Sequence, residues 1–145
     1  MSIEENKRTV RRLFEEIITQ DRSEVAAEIF ATDFVWPQFD LHGPDGALRW
    51  VRAFRTAFPD VEDIVEEQAA EGDVVFTRVT FRGTQSGPWY GMPATGQRVE
   101  QAAVGIDRFR DGLIIERMAV SDLAGALRQL GHRSFPTATS PVTDV

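Results

Sequence analysis

Residues 83–131 read GTQSGPWYGMPATGQRVEQAAVGIDRFRDGLIIERMAVSDLAGALRQLG, and they carry the clearest structural signals of the chain. Its pattern predicts the end of one strand, a crossing loop rich in glycine and proline, a long strand, a tight turn, a further strand and a short helix. The pair Asp111 and Gly112 between two alternating segments is a strong β-hairpin signal. Gly131 is predicted to end the last helix, because glycine adopts the left-handed conformation at a helix C-terminus without steric cost.

The preceding part of the chain places helices before the strands. Ser2 begins a capping-box spacing (S-x-x-E) for a first helix, and Asp21 begins the same spacing for a second. A third helix is predicted to follow the turn at 43–46 and to end at Pro59. Strands are predicted at 34–36, 61–69, 73–85, 97–110 and 113–121. Helices followed by antiparallel strands and one short helix indicate an α+β fold rather than an α/β fold.

Length and composition predict one domain. A chain of 145 residues with 42% hydrophobic residues is long enough to bury a single core. We expect this domain to cover residues 1–131. Residues 132–145 are rich in serine, threonine and proline and are predicted to form a flexible tail.

The chain is rich in aromatic residues, with ten phenylalanines and three tryptophans. This number is enough to line a small-molecule cavity as well as to fill a core. Trp36, Trp50 and Phe54 are predicted to be core residues that also line such a cavity. Trp89 and Tyr90 lie in the crossing loop and are predicted to cover its mouth, with packing against the sheet edge or a partner subunit as the alternative.

Charge and composition exclude several classes of partner. The formal net charge of −7, with lysine and arginine scattered along the chain, argues against binding to nucleic acid. No apolar run reaches the roughly 18–20 residues that span a bilayer, and the N-terminal MSIEENKRT has no apolar signal core, so we expect no membrane association. The chain has no cysteine, which excludes disulfides and thiol chemistry and fits a reducing compartment. A cytoplasmic protein is therefore expected.

The sequence offers little for metal or cofactor chemistry. His42 and His132 are the only histidines in a chain without cysteine, whereas a zinc site needs three or four clustered ligands. A serine-hydrolase elbow, a Walker A loop and a G-x-G-x-x-G fingerprint are all missing. We therefore expect no metal and no cofactor, which leaves carboxylate acid/base chemistry in a pocket.

Strand alternation sorts the polar candidates of the 73–85 segment by face. The more apolar face, which should contact the helices, carries Val75, Thr77, Val79, Phe81, Gly83 and Gln85. Gln85 is therefore predicted on the core side, at the end of the strand where a pocket opens. The alternative for Gln85 is a polar residue at a strand end in solvent.

In the 97–110 strand, the face that carries a carboxylate has unusually small side chains at two positions. This face carries Val99, Gln101, Ala103, Gly105, Asp107 and Phe109. The small side chains of Ala103 and Gly105 leave room for a ligand above the sheet. Asp107 needs a partner or a function there, because burying a lone carboxylate is costly. Two hypotheses stay open for Asp107: an ion pair with an arginine, or a contact that holds the substrate.

The last strand leads into the candidate Asp122. If this strand is regular, Ile114, Met118, Val120 and Asp122 share the pocket face and Arg117 lies on the opposite face. Asp122 directly precedes a helix, where aspartate is a preferred N-cap. The residues alone favour capping over catalysis for Asp122.

Residues 83–131 resemble the SnoaL-like polyketide cyclases, which are part of the nuclear transport factor 2-like superfamily. The resemblance lies in G-T-x-x-G at 83–87, in the hairpin around Asp111-Gly112, and in DLAGALRQLG at 122–131. It implies a cone-shaped α+β barrel, in which a curved antiparallel sheet wraps around three N-terminal helices and encloses a pocket. It also implies a homodimer formed by the outer sheet face, with contributions from Phe76, Arg78, Thr80, Arg82, Val104 and Ile106.

The resemblance reverses the interpretation of Asp122. The acidic residue just before the last helix is the proposed general acid/base of such cyclases, and Asp122 matches it. Asp107 is the second catalytic candidate. The predicted substrate-binding residues are Trp36, Phe54, Gln85, Trp89 and Met118.

Three histidines common in the family are replaced in this chain. The E-H-W motif is Glu116-Arg117-Met118, Gln85 occupies a position that is often histidine, and a histidine near the first strand is replaced around Trp36. The resemblance implies an ester or aldol cyclase that acts on a hydrophobic, polyketide-like small molecule. The alternatives are a related isomerase, an epoxide-opening or hydroxylation-assisting enzyme of secondary metabolism, or a non-catalytic binder of hydrophobic small molecules.

Overall fold

The computed structural model describes residues 2–142 and is built on a curved six-stranded sheet with helices on its concave face. The helices are α1 (Ile3–Arg12), α2 (Ala26–Ile29), α3 (Gly43–Ala57) and α4 (Leu123–Gln129). The strands are β1 (Phe30–Trp36), β2 (Leu41–His42), β3 (Glu62–Glu71), β4 (Val74–Thr84), β5 (Arg98–Arg110) and β6 (Leu113–Ser121). The predicted α+β architecture is confirmed, and the order of the longer helices and strands is as predicted, whereas the short strand β2 was not predicted.

The sheet has the strand order β2-β1-β6-β5-β4-β3. All neighbouring strands are antiparallel except β1 and β6, which are parallel. The β4–β5 ladder runs without interruption from Val74 opposite Arg108 to Thr84 opposite Arg98. Because this ladder is regular, simple alternation predicts the buried faces of β4 and β5 correctly.

The first helix begins as the sequence predicts and ends in an unusual form. The Ser2 hydroxyl accepts a hydrogen bond from the Glu5 N–H at 3.1 Å, and the Ser2 N–H donates to the Glu5 carboxylate at 3.2 Å, which completes the capping box. After α1 the chain continues as a π-helix, Leu13–Thr19. The Thr19 hydroxyl donates to the carbonyl oxygen of Phe14 at 2.9 Å within this wider helix.

The predicted cap of the second helix is wrong. Asp21 has a left-handed backbone with φ 59° and makes an ion pair with Arg55 at 3.3 Å instead. The chain enters α2 through a 3₁₀ turn, Ser23–Val25, whose start has no side-chain cap. The Asp21 carboxylate, which the sequence pattern assigns to the helix start, instead contacts α3.

Two β-bulges change the side-chain alternation of the sheet. In β3 the register shifts between Val65 and Glu67, so Glu66 is an extra residue. In β6 Ile114 lies opposite Phe109 while Glu116 lies opposite Arg108, which makes Ile115 the extra residue. Each bulge moves every residue beyond it to the opposite face of the sheet.

The bulge in β6 overturns the predicted faces of that strand. Arg117 is buried and points toward the helices, whereas it was predicted on the outer face. Met118 is 48% exposed and lies on the outer face, although a regular strand places it in the pocket. Val120 is 54% exposed but still lies among the residues that line the cavity. The prediction failed because it assumed an unbroken period of two.

The crossing loop between β4 and β5 is fixed by the buried Gln85. Its side-chain amide donates to the carbonyl oxygens of Gly87 and Pro93 at 3.2 Å each, and its carbonyl oxygen accepts from the Thr95 hydroxyl at 2.8 Å. Gly87 must lack a side chain, because a Cβ there would overlap the Thr56 carbonyl oxygen of α3. The loop is thereby held against α3.

The C-terminal part of the chain consists of α4 and an irregular segment. Helix α4 ends before Gly131, whose φ of +85° matches the predicted C-terminal glycine. Residues 132–142, the last that the structure describes, contain neither helix nor strand. The part of the predicted tail at 143–145 lies outside the described residues. None of the helices in residues 2–142 has the length and hydrophobicity of a transmembrane span.

Candidate functional site

A cavity of about 490 Å³ lies between the concave face of the sheet and the helices. One wall is a row of aromatic rings. The ring centroids of Trp36 and Trp50 are 5.1 Å apart, and those of Trp50 and Phe54 are stacked at 4.9 Å with an angle of 12° between the planes. Phe135 and Pro136 of the C-terminal segment also line the cavity. The cavity is therefore mostly apolar, with flat aromatic surfaces in one wall.

Asp63 places a carboxyl group in this apolar lining. The residue is 8% exposed, and its Oδ1 has no hydrogen-bond partner among the residues that the structure describes. Its backbone N–H donates to the Thr19 hydroxyl at 2.9 Å, which anchors the start of β3 to the end of the π-helix. Burial raises the pKa of the Asp63 carboxyl from 3.8 to about 7, and the charge of Arg117 opposes this rise.

Asp107 and Arg117 form a buried ion pair beneath the cavity. Both carboxylate oxygens of Asp107 accept hydrogen bonds from Nη1 of Arg117 at 2.7 Å, and the two residues are 0% and 4% exposed. Burial raises the pKa of the Asp107 carboxyl, and the attraction of Arg117 works against that rise. The ion-pair hypothesis for Asp107 therefore matches the observed contact.

The guanidinium group of Arg117 reaches the cavity through a narrow space. It lies 5.1 Å from the ring centroid of Phe14 and 5.3 Å from that of Trp36, in cation–π contact with both. A Cβ on Gly105 would lie 2.7 Å from Nη2 of Arg117. The space that the sequence predicts above Gly105 is therefore occupied mainly by this guanidinium. The ion pair is thus enclosed by aromatic rings and a glycine.

The predicted site residues separate into two groups. Trp36, Phe54 and Trp89 line the cavity, as the sequence predicts for their positions. Gln85 is buried outside the cavity lining, with its amide engaged by the crossing loop. Met118 lies on the outer sheet face, away from the cavity.

Asp122 lies at the start of α4 and not in the cavity lining that the structure describes. Its carboxylate accepts a hydrogen bond from the Gly125 N–H at 2.9 Å, which makes it the N-cap of this helix. The residue is exposed. Asp107 and Asp122 are thus not brought together in one cavity: one is bound to Arg117 and the other caps a helix.

Sequence reasoning missed Asp63, and the bulge in β3 explains why. Counting back from the turn, simple alternation pairs Asp63 with Arg82 on the outer face and turns Ile64 inward. The extra residue Glu66 shifts the register, so Asp63 lies opposite the inward-facing Phe81. The sequence shows an acidic residue at the start of a strand of mixed polarity, but it does not show which face of the sheet this residue occupies.

The curved sheet, the helices on its concave face and the enclosed cavity define a nuclear transport factor 2-like fold. The family model of the SnoaL-like polyketide cyclases matches residues 8–130. The chain therefore belongs to the SnoaL-like polyketide cyclase family. A comparison with curated proteins gave no match.

Solved structures support this assignment. A protein from Jannaschia sp. CCS1, described as a SnoaL-like polyketide cyclase, is 27% identical, with a TM-score of 0.82 over 92% of this chain and 98% of that one. IdmH from Streptomyces antibioticus, described as a polyketide cyclase, is 30% identical, with a TM-score of 0.74 over 88% and 99%. AclR from Streptomyces galilaeus, described as a hydroxylase, is 26% identical, with a TM-score of 0.78 over 94% and 87%.

Breaking the ion pair should destabilise the protein more than replacing it. In Arg117→Met the Asp107 carboxylate is left buried without a partner, so we expect a loss of about 3–5 kcal/mol in the free energy of unfolding. The double variant Asp107→Leu/Arg117→Met should recover most of this loss, because no uncompensated charge remains. Urea unfolding of the wild type, both single variants and the double variant measures the coupling. Additive losses in the double variant would contradict the pairing.

The raised pKa of Asp63 makes stability depend on pH. The folded state binds the Asp63 proton more tightly than the unfolded state does. Protonation of Asp63 therefore contributes to the free energy of unfolding at low pH, and this contribution is lost as pH rises from about 4 to 7. As pH rises over this range, the free energy of unfolding of Asp63→Asn should increase relative to that of the wild type, by up to about 1.4 kcal/mol per pH unit. Urea unfolding at several pH values measures the difference. A difference that is constant with pH would show that the carboxyl has an ordinary pKa.

Proposed function

We propose that this protein is an enzyme that cyclises a polyketide-like substrate, with Asp63 as the general acid/base. The observation that carries this proposal is a buried carboxyl group with a pKa of about 7 in the lining of an apolar cavity. A general acid/base works best when its pKa lies near the working pH, because both protonation states are then populated. The membership of the chain in a family of polyketide cyclases supports the reaction type.

An aldol cyclisation requires only one such group. The Asp63 carboxylate takes a proton from a carbon next to a carbonyl group, and the C–H electron pair becomes an enolate. The enolate carbon then forms a bond to a second carbonyl carbon of the same molecule, whose π electrons move to its oxygen. That alkoxide takes the proton back from Asp63, so the carboxylate is restored and no co-reactant is consumed.

The positive charge of Arg117, which is paired with Asp107, also acts on the Asp63 carboxyl. The guanidinium of Arg117 also lines the cavity, and its positive charge limits the rise in the pKa of Asp63. Asp107 binds Arg117 through both carboxylate oxygens and holds it in place. Arg117 therefore contributes positive charge to the cavity in which the enolate forms, which stabilises the negative charge of the transition state.

Asp63 is a better candidate for proton transfer than the two carboxylates that the sequence favours. Asp107 has both oxygens engaged by Arg117, and Asp122 uses its carboxylate to cap α4. Since those two carboxylates serve structural roles, they would equally suit a non-catalytic binder of hydrophobic small molecules. Asp63 is the group that distinguishes an enzyme from such a binder.

A surrogate ketone tests the assignment without knowledge of the natural substrate. In D₂O the enzyme should accelerate deuterium incorporation at C2 of 1-tetralone, which NMR measures directly. Asp63→Asn should lower this rate by roughly 10²–10⁴-fold, the usual contribution of general acid/base catalysis. The rate of the wild type should rise with pH and level off above about 7, because only the carboxylate form accepts the proton.

Asp122→Asn is the matched control. Asparagine caps a helix about as well as aspartate, so this variant should keep both its melting temperature and its exchange rate. Loss of exchange in Asp122→Asn, with full exchange in Asp63→Asn, would transfer the catalytic role to Asp122. Exchange that is no faster with the wild type than in buffer alone would favour the non-catalytic binder.

We also propose that the protein forms a homodimer through the outer face of the sheet. Phe76, Ile106 and Met118 lie side by side on β4, β5 and β6, and Phe76 and Met118 are 42% and 48% exposed. A contiguous apolar row on a sheet face is typical of a surface that a partner covers, and the same face of a second copy would be complementary in polarity.

The dimer is tested by light scattering after size-exclusion chromatography at micromolar concentration. The wild type should have twice the mass of the chain. Phe76→Glu should be monomeric, because it places a charge within the apolar row. Ile3→Glu introduces the same charge at another exposed apolar position and should stay dimeric. A monomeric wild type, or a dimeric Phe76→Glu, contradicts the proposal.

A further inference from the structure

Gln101 has an unused hydrogen-bond donor in the lining of the cavity. The residue lies in β5 and is only 6% exposed. Its Nε2 has no hydrogen-bond partner anywhere in residues 2–142. A buried amide N–H without a partner is rare in native proteins, because its lost hydration is not replaced. A ligand oxygen in the cavity would replace it.

The sheet register places Gln101 and Asp63 on the two sides of one aromatic ring. Asp63 lies opposite Phe81 on β4, and Phe81 lies opposite Gln101 on β5, all facing the cavity. Adjacent strands are about 4.8 Å apart, so the Cα atoms of Asp63 and Gln101 are separated by about 10 Å. A flat ligand that rests on Phe81 would therefore have a carboxyl group on one side and an amide donor on the other.

The remaining polar groups of the cavity favour an oxygen acceptor on the ligand. Trp50 and Trp89 also line the cavity, and their indole N–H groups have no partners within the described chain. The lining residues thus carry several unpartnered N–H donors, and Asp63 carries the one unpartnered buried carboxyl oxygen in residues 2–142. Carbonyl oxygens accept hydrogen bonds without offering a donor in return, which suits this lining.

We propose that Gln101 binds the carbonyl oxygen of a planar, enolisable ketone and holds the negative charge that forms there when Asp63 removes the neighbouring proton. This assignment rests on the proposed function for the role of Asp63. The C–H electron pair moves into the enolate, the proton goes to the Asp63 carboxylate, and the charge on oxygen is stabilised by the Nε2–H of Gln101. A donor fixed at the developing oxyanion lowers the barrier because it requires no reorganisation during the reaction.

Two bicyclic probes isolate this hydrogen bond. 1-Tetralone carries the carbonyl oxygen, and tetralin has the same ring system without it. Isothermal titration calorimetry should show tighter binding of 1-tetralone than of tetralin to the wild type, by about 5-fold to 10-fold for one hydrogen bond. In Gln101→Leu this preference should disappear while tetralin still binds, because the cavity keeps its apolar walls.

The control variant is Gln97→Leu, which makes the same replacement at an exposed position before β5 and should keep the preference for 1-tetralone. Retention of tetralin binding shows that Gln101→Leu is folded and has an intact cavity. Equal affinity of the wild type for the two probes, or an unchanged preference in Gln101→Leu, overturns the inference.

Deuterium exchange separates this inference from the proposed function. Gln101→Leu should slow exchange at C2 of 1-tetralone by roughly 10²–10³-fold, as loss of an oxyanion donor does, even when the probe is saturating. Asp63→Asn should slow exchange but keep the preference for 1-tetralone in binding. A Gln101-dependent preference with no Asp63-dependent exchange supports Gln101 as a carbonyl-binding residue and refutes Asp63 as the base. An exchange rate unchanged in Gln101→Leu refutes its role in stabilising the oxyanion.

Discussion

The buried ion pair between Asp107 and Arg117 fixes the geometry on which the cavity depends. An unpaired charge in this interior is strongly unfavourable, so β5 and β6 must pair in the register that joins the two residues. Without the bulge in β6, Glu116 would lie opposite Asp107, and two carboxylates would face each other in the core. The guanidinium also contacts the rings of Phe14 and Trp36, which ties the sheet to the π-helix and to β1.

The two bulges are the local irregularities that create the polar part of the site. One turns Arg117 inward on β6, and the other turns Asp63 inward on β3. Both are stabilised by contacts with distant elements: Arg117 by Asp107, and the backbone of Asp63 by the Thr19 hydroxyl at the end of the π-helix. The π-helix is itself an irregular segment, so three departures from regular secondary structure converge on the same cavity.

The burial that lowers stability at Asp63 also makes it chemically useful. Removing this carboxyl from water disfavours its charged form and brings its pKa to about 7, where both protonation states exist near neutral pH. The same aromatic walls that exclude water provide flat surfaces for a ligand ring. Unpartnered donors such as Gln101 Nε2 fit this pattern, because a site that binds a ligand retains polar groups that the folded chain does not satisfy.

Local sequence patterns were enough to predict the longer helices and strands, the Asp111-Gly112 turn and the faces of β4 and β5, because these follow from local propensity and an unbroken period of two. The aromatic lining at Trp36 and Phe54 was also predicted from the sequence. The polar part of the site depends on tertiary packing. A single extra residue reverses a strand's alternation, and whether it is accommodated depends on distant partners such as Asp107 and Thr19, so the positions of Asp63 and Arg117 follow from packing across the sheet rather than from the local pattern.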